Sequence, residues 1–434
     1  MKRLTLILAL VALVAAGAMA ADKTTLKFLY YIDATQAGYA EDQAMWQKFQ
    51  AANPDIDLQI EILFSQAYHQ KLSAYISAGQ VPDVVYMWPT SRDSSALLHD
   101  QRLVADLRQV LPADFLKNFS AQALDVTQQT DKRLAELPQS FTFTTTVYAN
   151  VGLLKSLGLK VPKTYADLKA MVPKLKAKGI QTLALPDGDK WPAQSCLFST
   201  ISGRLAGDEF IDAVKAGKAK FTDKAFVDAL AFYSKLYADG VIDKADVSMG
   251  YGDGPGLFAS GKAAFIVDGD WRVGAYVTDK STGKALIDPA KQASDFELIN
   301  FPAIPGEKNH NSASAIAGVG LGINKDLTGA KLEAAKKLLM FYYGKEFQTM
   351  KWETGAFVPT RTDLTPKGLE PLMVKLPLYY KTVAKTTYVL DGALDPTVFN
   401  PLNDGLQGIG LGTQTPAQVA DIMQKAQDAV LAKK

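Results

Sequence analysis

A strictly alternating segment near the start of the chain most restricts how this sequence can fold. In "DIDLQIEIL", residues 55–63, aliphatic and polar residues alternate from Ile56 to Ile62, as is typical of a strand that is buried on one face. Apolar residues at helical spacing occur at 39–52 before it and at 68–78 after it. Short apolar runs at 26–31 and 82–88 complete a β-α-β-α-β order. This order predicts an α/β fold with a mostly parallel sheet.

A second α/β region follows further along the chain. Residues 141–150 are rich in β-forming side chains, and 151–158 predict a helix. Thr164 and Asp167 predict a capping box at the start of another helix, and 180–185 predict the next strand. Later helices are predicted at 225–238, 331–343 and 416–432. A chain of 434 residues with 48% apolar content can bury a large core and suggests two or more domains or one two-lobed unit.

The first twenty residues have the pattern of a secretory signal peptide. Two basic residues precede an apolar run at 4–14, which is too short to span a bilayer comfortably. The small-x-small pattern at 18–20 predicts cleavage before Ala21, with an uncleaved anchor as the alternative. Because Ala21 and not a cysteine directly follows this site, the lipid-attachment cysteine of bacterial lipoproteins is missing. We therefore expect residues 1–20 to be removed and the mature protein to be soluble and periplasmic.

Charge and metal-ligating residues limit the classes of partner. The chain has 47 basic and 45 acidic residues without a basic stripe, which disfavours nucleic acid as a partner. His69, His99 and His310 are far apart and form no metal-ligand spacing. The only cysteine, Cys196, lies among apolar residues, and we expect an inert buried thiol. No cofactor is expected.

Aromatic and acidic residues recur where the predicted strands end. They are Tyr30, Tyr31, Asp33, Tyr86, Trp88, Trp191, Asp268, Asp270 and Trp271. Open α/β sheets bind ligands beyond the carboxyl ends of their strands, so these side chains are candidates for one site. An aromatic ring stacks on the apolar face of a sugar, while carboxylates accept hydrogen bonds from its hydroxyls. The combination therefore favours carbohydrate capture.

Each of these residues also has a structural interpretation. A tryptophan or tyrosine at a strand end often packs in the core, and Asp270 could cap the following turn. Asp83 is better explained as structural than as a ligand contact. The tyrosine pairs at 342–343 and 379–380 are typical of helix packing, although a ferric-ion site is an alternative. The composite pattern is more specific than any one of its members.

Five stretches of the chain resemble the conserved blocks of one protein family. They are "MWQKFQAANPDIDLQIEI", "YISAGQVPDVVYMW", "VGLLKSLGLKVPKTYADL", "LFASGKAAFIVDGDW" and "AAKKLLMFYYGKEFQTMKWETGAFVPTR". In order and spacing they resemble the family 1 extracellular solute-binding proteins, the periplasmic components of carbohydrate ABC importers, and in particular the maltose-binding protein group. Tyr165 and Asp167 replace the family's Trp and Glu, and Phe265 replaces its Met.

The resemblance implies a two-lobed periplasmic binding protein fold of type II-like arrangement, with the ligand cleft between the lobes. The N-terminal lobe would contain residues 22–138 and 303–345, and the C-terminal lobe 141–300 and 346–434. The glycine-rich segment 317–320 matches a family segment near the hinge.

The resemblance also implies which residues bind the ligand. Trp271 would stack on the sugar, with Asp268 and Asp270 as hydroxyl acceptors, and Gly269 would let the backbone pass close to the ligand. The other predicted ligand-binding residues are Tyr31, Asp33, Trp88, Trp191, Trp352, Phe357 and Arg361. The loop at 30–35 and the segment 136–139 depart from the family pattern, so the ligand cannot be transferred from a relative.

The sequence therefore predicts a monomeric binding protein that captures a sugar or oligosaccharide and delivers it to an ABC transporter membrane permease. A protein of the same fold for glycerol phosphate, a polyamine or ferric ion is the alternative. A secreted glycosidase is less favoured, because Asp268 and Asp270 are two residues apart on a strand-like segment. They would point the same way rather than flank a scissile bond.

Overall fold

The computed structural model describes residues 23–34, 38–89, 93–121, 123–125, 132–317 and 319–433. The predicted signal peptide lies outside these residues, as do parts of the loop after the first strand and of the glycine-rich segment. Within these ranges, the helices are all too short or too polar to cross a membrane.

The described chain alternates between short strands and helices. The strands are β1 (Thr24–Tyr31), β2 (Ile56–Leu63), β3 (Val84–Met87), β4 (Leu137–Pro138), β5 (Phe141–Phe143), β6 (Thr146–Asn150), β7 (Gln181–Ala184), β8 (Ala263–Asp268), β9 (Phe296–Ile299), β10 (Ser312–Ala317), β11 (Gly320–Ile323) and β12 (Lys385–Thr387). The helices up to residue 238 are α1 (Tyr39–Ala52), α2 (Ser65–Ser77), α3 (Asp93–Asp100), α4 (Leu107–Val110), α5 (Ala113–Leu116), α6 (Val151–Ser156), α7 (Tyr165–Lys176), α8 (Ser199–Leu205), α9 (Asp208–Lys215) and α10 (Lys224–Ala238).

The later helices are α11 (Gly254–Ala259), α12 (Pro289–Ser294), α13 (Gly329–Tyr342), α14 (Lys345–Glu353), α15 (Pro371–Tyr380), α16 (Leu390–Ala393), α17 (Pro396–Leu411) and α18 (Pro416–Leu431). A π-helix at Ala193–Phe198 precedes α8, and 3-10 helices lie at Lys244–Ser248 and Asp270–Ala275.

The first sheet has the strand order β2-β1-β3-β11-β4. β1 pairs in parallel with β2 and β3, whereas β11 runs antiparallel to β3 and β4. The predicted β-α-β-α-β order is thus confirmed. β2 is an edge strand, and Ile60 and Ile62 remain half-buried there because a neighbour covers only one side of the strand.

The second sheet has the order β7-β8-β6-β9, and a small third sheet has the order β12-β10-β5. The predicted capping box begins α7: Thr164 Oγ1 accepts from the Asp167 amide at 3.2 Å, and Asp167 Oδ2 accepts from the Thr164 amide at 2.9 Å. Reciprocal capping satisfies two amides that the helix itself leaves unpaired. The predicted start of this helix is confirmed.

Most of the buried apolar side chains belong to one of two large hydrophobic cores. The first core draws on residues 26–137 and 321–347, and the second on 147–304 and 390–423. A smaller core lies around the third sheet. Each core is built from segments that are distant in sequence, so the chain passes between the two units more than once.

Three neighbouring segments carry the chain between the two cores. The Gln139 amide donates to the Val319 carbonyl at 2.9 Å, and the Gln139 carbonyl accepts from the Thr360 amide at 2.9 Å. These bonds place Gln139 in the middle of the three segments, which we call the crossing. Close packing also requires Gly320, since a Cβ there would lie 2.0 Å from the Leu137 carbonyl oxygen.

Two segments near the predicted lobe boundaries have packing partners that bear on those boundaries, which stay a prediction. Ala303 bonds to Lys163 and Tyr165 beside α7, so the chain remains with the second core beyond residue 303 and joins the first sheet only at β11. Helix α14 packs on α1, with Phe347 in the first core, so this unit extends past residue 345. Specific backbone and apolar contacts, which sequence spacing does not reveal, set these positions.

Asp246 is a buried carboxylate beside the second sheet. Its Oδ2 accepts from the Leu185 amide at 2.8 Å and from Gln181 Nε2 at 2.5 Å. Burial disfavours the charged form and raises the pKa of Asp246 to about 7, although these bonds oppose the shift. The folded protein therefore holds a proton here in a pH range where the unfolded chain has released it.

We expect Asp246→Asn to flatten the pH dependence of unfolding. Between about pH 4 and pH 7 the folded wild-type site is protonated and the unfolded one is not, so wild-type stability falls as pH rises through this window. The variant has no proton to lose. Urea unfolding at several pH values, with the exposed Asp228→Asn as control, measures the difference; parallel curves for wild type and Asp246→Asn would contradict the assignment.

Candidate functional site

A cavity opens at the crossing, between the ends of the first and second sheets. Its lining includes side chains from both large units and from the three crossing segments. Water-sized molecules can occupy about 200 Å³ of it. A site for a single buried water needs only roughly 10–15 Å³, so this cavity is large enough for an organic ligand.

The wall on the side of the first sheet is aromatic. Tyr31 ends β1, and its ring stacks on Tyr86 of β3 with 5.5 Å between centroids. The Trp88 ring lies 4.9 Å from Tyr31 and 4.8 Å from His69 of α2. Parallel strands deliver their carboxyl ends to the same edge, which explains why residues from separate parts of the sequence meet here. We call Tyr31, Tyr86, Trp88 and His69 the first wall.

The wall on the side of the second sheet is a second aromatic group. The Trp191 ring lies 6.1 Å from that of Trp271 and 4.7 Å from that of Tyr251. Trp271 Nε1 donates to the Tyr251 hydroxyl at 2.5 Å. The N–H is the only hydrogen-bond donor of an indole ring, so this hydrogen bond fixes the orientation of the ring. We call these three residues the second wall.

Asp268 supports the second wall from beneath. Its Oδ2 forms an ion pair with Arg272 Nε at 2.6 Å, and its Oδ1 accepts from the Tyr251 hydroxyl at 3.0 Å. Asp268 is only 1% exposed and does not line the cavity. The Arg272 guanidinium also lies 3.9 Å from the centre of the Tyr251 ring. Asp268 thus orients Tyr251, which in turn orients Trp271.

Gly269 separates the two acids for a steric reason. A Cβ at this position would lie 2.2 Å from atoms of the Trp271 ring, which folds back over the glycine. The φ angle of Gly269 is −75°, so the glycine is not required for its backbone conformation. The structure therefore relates Gly269 to the placement of Trp271, whereas the sequence suggested a close approach of the backbone to the ligand.

Asp270 differs from Asp268 in its surroundings. The strand ends at Asp268, and Asp270 begins a 3-10 helix, so the two carboxylates do not share one strand face as expected. Asp270 lines the cavity, and its Oδ2 accepts from the Phe143 amide at 2.8 Å and the Tyr380 hydroxyl at 2.7 Å. Burial raises the pKa of Asp270 to about 7. This carboxyl can therefore act as a hydrogen-bond donor or acceptor near neutral pH.

The floor of the cavity is a polar network that reaches the crossing. Gln139 Nε2 donates to the Tyr86 hydroxyl at 2.8 Å, and Gln139 Oε1 accepts from the Tyr342 hydroxyl. Beside them, Lys351 Nζ donates to the Tyr30 hydroxyl at 3.0 Å and pairs with the Asp42 carboxylate. All of these residues except Asp42 line the cavity.

Seven of the ten sequence-predicted residues line this cavity. They are Tyr31, Asp33, Trp88, Trp191, Asp270, Trp271 and Phe357. The other three predicted residues, Asp268, Trp352 and Arg361, are not among its lining residues.

Trp352 and Arg361 have different surroundings from those predicted. Trp352 is half-buried against the small core around the third sheet. Arg361 Nη1 donates to the Tyr343 carbonyl at 3.0 Å, and its Nη2 donates to Asp363 at 3.1 Å. Both were assigned by motif position, which cannot distinguish the residues beside a cleft from those inside it.

Sequence analysis missed several lining residues, among them His69, Tyr251 and Lys351, and it named Gln139 only as part of the segment 136–139. His69 occupies the inward face of the predicted helix, so helical spacing could have identified it. Tyr251 lies in a loop whose sequence has no helical or strand periodicity, and its bonds to Trp271 and Asp268 reveal its position only in the structure. Cys196 is fully buried as expected, and burial raises the pKa of its thiol.

Comparison with known proteins gives the family of this chain. The model of the family described as "Bacterial extracellular solute-binding protein" matches residues 33–349, which is more than half of the sequence. The chain belongs to this family, as the sequence blocks predicted.

Two relatives have low sequence identity to this chain, but they align with most of its length. The multiple sugar-binding protein of Streptococcus mutans is 24% identical over 332 residues, covering 74% of this chain and 71% of that protein. A probable sugar-binding periplasmic protein of Rhizobium meliloti is 23% identical over 296 residues, covering 68% and 66%.

Solved structures show the same fold. A chitin oligosaccharide binding protein superposes with a TM-score of 0.81 at 23% identity, covering 95% of this chain and 100% of that one. A maltose-bound protein of T. maritima gives a TM-score of 0.73 at 20% identity, covering 94% and 100%. The α/β periplasmic binding protein fold is therefore confirmed.

We expect Gly269→Ala to displace the Trp271 ring and break its bond to Tyr251 while the protein stays folded. The methyl group collides with the far end of a side chain that can rotate, so the free energy of unfolding should change little. Tryptophan fluorescence should shift and ligand affinity should fall at least tenfold. Gly252→Ala, where an added Cβ meets nothing within 4 Å, is the control. An unchanged emission spectrum in Gly269→Ala would contradict the assignment.

Proposed function

We propose that this protein captures a sugar or oligosaccharide in the cavity at the crossing and delivers it to an ABC transporter permease. In this proposal the units around the two large cores are lobes that close on the ligand by bending at the crossing. The ligand shifts an equilibrium between open and closed forms, and the protein does no chemistry. The signal-like residues 1–20 and the extracellular family support a periplasmic location.

The observation that carries the proposal is the pair of aromatic walls on one cavity. Trp271 and Trp191 on one side and Tyr31 and Trp88 on the other offer flat apolar surfaces for the faces of sugar rings. Polar side chains between the walls, such as Asp270 and Gln139, supply fixed partners for hydroxyls. Such a mixture of apolar faces and a few placed polar groups is typical of small-molecule sites.

The names of relatives support the same ligand class. The proteins of Streptococcus mutans and Rhizobium meliloti are both described as sugar-binding. The superposed structures include an oligosaccharide binding protein and one with bound maltose. These descriptions favour a carbohydrate but leave open its identity, because the first-strand loop and the segment 136–139 depart from the family pattern.

A ferric-ion site has less support. The tyrosine pairs that suggested it use their hydroxyls within the protein: Tyr343 donates to the Leu137 carbonyl, and Tyr379 donates to the Thr145 carbonyl at 2.7 Å. Among the described residues there is no cluster of three His, Cys, Asp or Glu side chains suited to a metal ion. A glycosidase has less support too, because Asp268 is engaged by Arg272 beneath the wall.

We expect Trp271→Ala to weaken sugar binding by roughly ten- to a hundredfold. Stacking a sugar over about 100 Å² of indole contributes roughly 2.5 kcal/mol, and each 1.4 kcal/mol is a factor of ten in affinity. Titration of tryptophan fluorescence with mono- and oligosaccharides measures the effect, and calorimetry gives the affinity independently of the lost fluorophore.

Trp352→Phe is the matched variant for this experiment. Its ring lies outside the cavity lining, so binding should stay within about twofold of wild type. A loss of affinity in Trp352→Phe with none in Trp271→Ala would place the stacking surface elsewhere. A protein that binds no sugar but responds to glycerol phosphate, a polyamine or ferric ion would overturn the carbohydrate proposal.

A further inference from the structure

Trp191 of the second wall lies on a tight loop, residues 186–192, between β7 and the π-helix. Lys190, the residue directly before it, has a φ angle of 68°, which is uncommon for a residue with a side chain. A backbone conformation of this kind persists only where the surrounding structure holds it in place. The loop therefore depends on contacts that fix the main chain beside Trp191.

Asp187 is the buried acid of this loop. Its Oδ1 accepts from the amide of Ala193, the first residue of the π-helix, at 2.8 Å. The first amides of a helix have no acceptor within the helix, so this carboxyl supplies one. Trp191 and Ser195, two residues to either side of Ala193, both line the cavity, whereas Asp187 is not among the described lining residues. One buried side chain thus holds a short segment that presents two side chains to the cavity.

The main chain of Asp187 is itself held by two other elements. Its amide donates to the carbonyl of Asp246, in the 3-10 helix at Lys244–Ser248, at 2.9 Å. Its carbonyl accepts from Gln407 Nε2 of α17 at 2.6 Å and from the Lys190 amide at 2.9 Å. The position of the Asp187 carboxyl is therefore set by packed elements of the second core and not by the loop alone.

The same loop also contacts the segment that carries Tyr251. The Gly188 amide donates to the Met249 carbonyl at 2.8 Å. Two residues further along, the Tyr251 ring lies 4.7 Å from the ring of Trp191. The loop and this segment thus meet both through their main chains and through their aromatic rings. Where the loop sits decides how Trp191 packs on the rest of the second wall.

We propose that Asp187 is a positioning residue for ligand binding, because its bond to the Ala193 amide places Trp191 and Ser195 in the cavity. This inference rests on the proposed function. Burial raises the pKa of Asp187 and so favours the neutral carboxyl, which still offers an oxygen to the amide. Asp187 therefore acts as a hydrogen-bond acceptor, whereas Asp268 orients Tyr251 while paired with Arg272.

Asp187→Ala removes this acceptor and is the central variant of the test. Glucose, galactose, maltose, cellobiose and chitobiose are titrated into the wild-type chain by calorimetry, and the sugar that binds most tightly is the probe. We expect its affinity to fall by roughly fivefold or more, because a binding residue that loses its support loses its precise placement. Tryptophan emission of the ligand-free protein should also shift, since the surroundings of Trp191 change.

Two matched variants separate positioning from stability. Asp187→Asn keeps an acceptor oxygen and should bind within about twofold of wild type. Asp83→Ala removes another buried carboxylate that accepts a backbone amide, that of Lys27 at 2.8 Å, outside the described lining. It should lower the free energy of unfolding but leave sugar affinity unchanged. Equal losses of affinity in Asp187→Ala and Asp83→Ala, both folded by urea titration, would overturn the positioning role.

A double-mutant cycle shows whether Asp187 acts through Trp191. In a Trp191→Phe background, Asp187→Ala should no longer shift the emission, and its effect on affinity should be smaller, since coupled residues are not additive. Full additivity would overturn the inference. If Asp187→Ala does not fold, Gln407→Ala takes its place, because it removes the side-chain donor to the Asp187 carbonyl. The same emission shift and a loss of affinity of about twofold or more are then expected.

The outcomes for this inference and for the proposed function are distinct. A folded Asp187→Ala protein that binds the probe sugar as wild type does would overturn the inference and leave the proposed function intact. If none of the five sugars binds the wild-type chain, the proposed function fails, and the role of Asp187 in binding fails with it.

Discussion

The hydrogen bonds of the Gln139 main chain hold the centre of this structure together. Its amide and carbonyl join three segments that are far apart in sequence, and these segments carry the chain between the two large cores. A buried backbone group without a partner is costly, so the three segments stabilise one another as a set. The cavity opens beside them, which explains why its lining draws on both units.

The second wall depends on a chain of contacts rather than on one residue. Arg272 neutralises Asp268, Asp268 orients the Tyr251 hydroxyl, and Tyr251 accepts the indole N–H of Trp271. Tyr251 and Trp271 line the cavity, whereas Arg272 and Asp268 do not. The orientation of the Trp271 ring is thus set by buried charges behind the cavity lining, as is common where a site needs precise orientation.

Regular elements could be predicted well because their periodicity is local. The helix at Tyr39–Ala52 has the predicted bounds, and the strand at Ile56–Leu63 begins one residue after the predicted stretch and ends with it. The position of Trp271 and Asp270 in the cavity lining could be predicted because clefts lie beyond strand ends in open sheets. The fold was accessible from the sequence for these reasons.

Other parts of the site could not be read from the sequence because they depend on distant partners. The role of Asp268 is determined by Tyr251 and Arg272, and that of Lys351 by Asp42 near the other end of the chain. Trp352 and Arg361 show the opposite problem, since a shared motif located them near the cleft but could not decide which way each side chain faces.

The polar floor has a consequence for how such a protein can change its ligand. Gln139 belongs to the crossing through its main chain and to the floor through its amide, which contacts Tyr86 and Tyr342. On the proposed function, a substitution on either aromatic wall would alter recognition and leave the connection between the units untouched. A substitution at the floor would alter recognition and the proposed motion together. New specificities would therefore be more accessible at the walls, and the floor would be the part of the site least free to diverge.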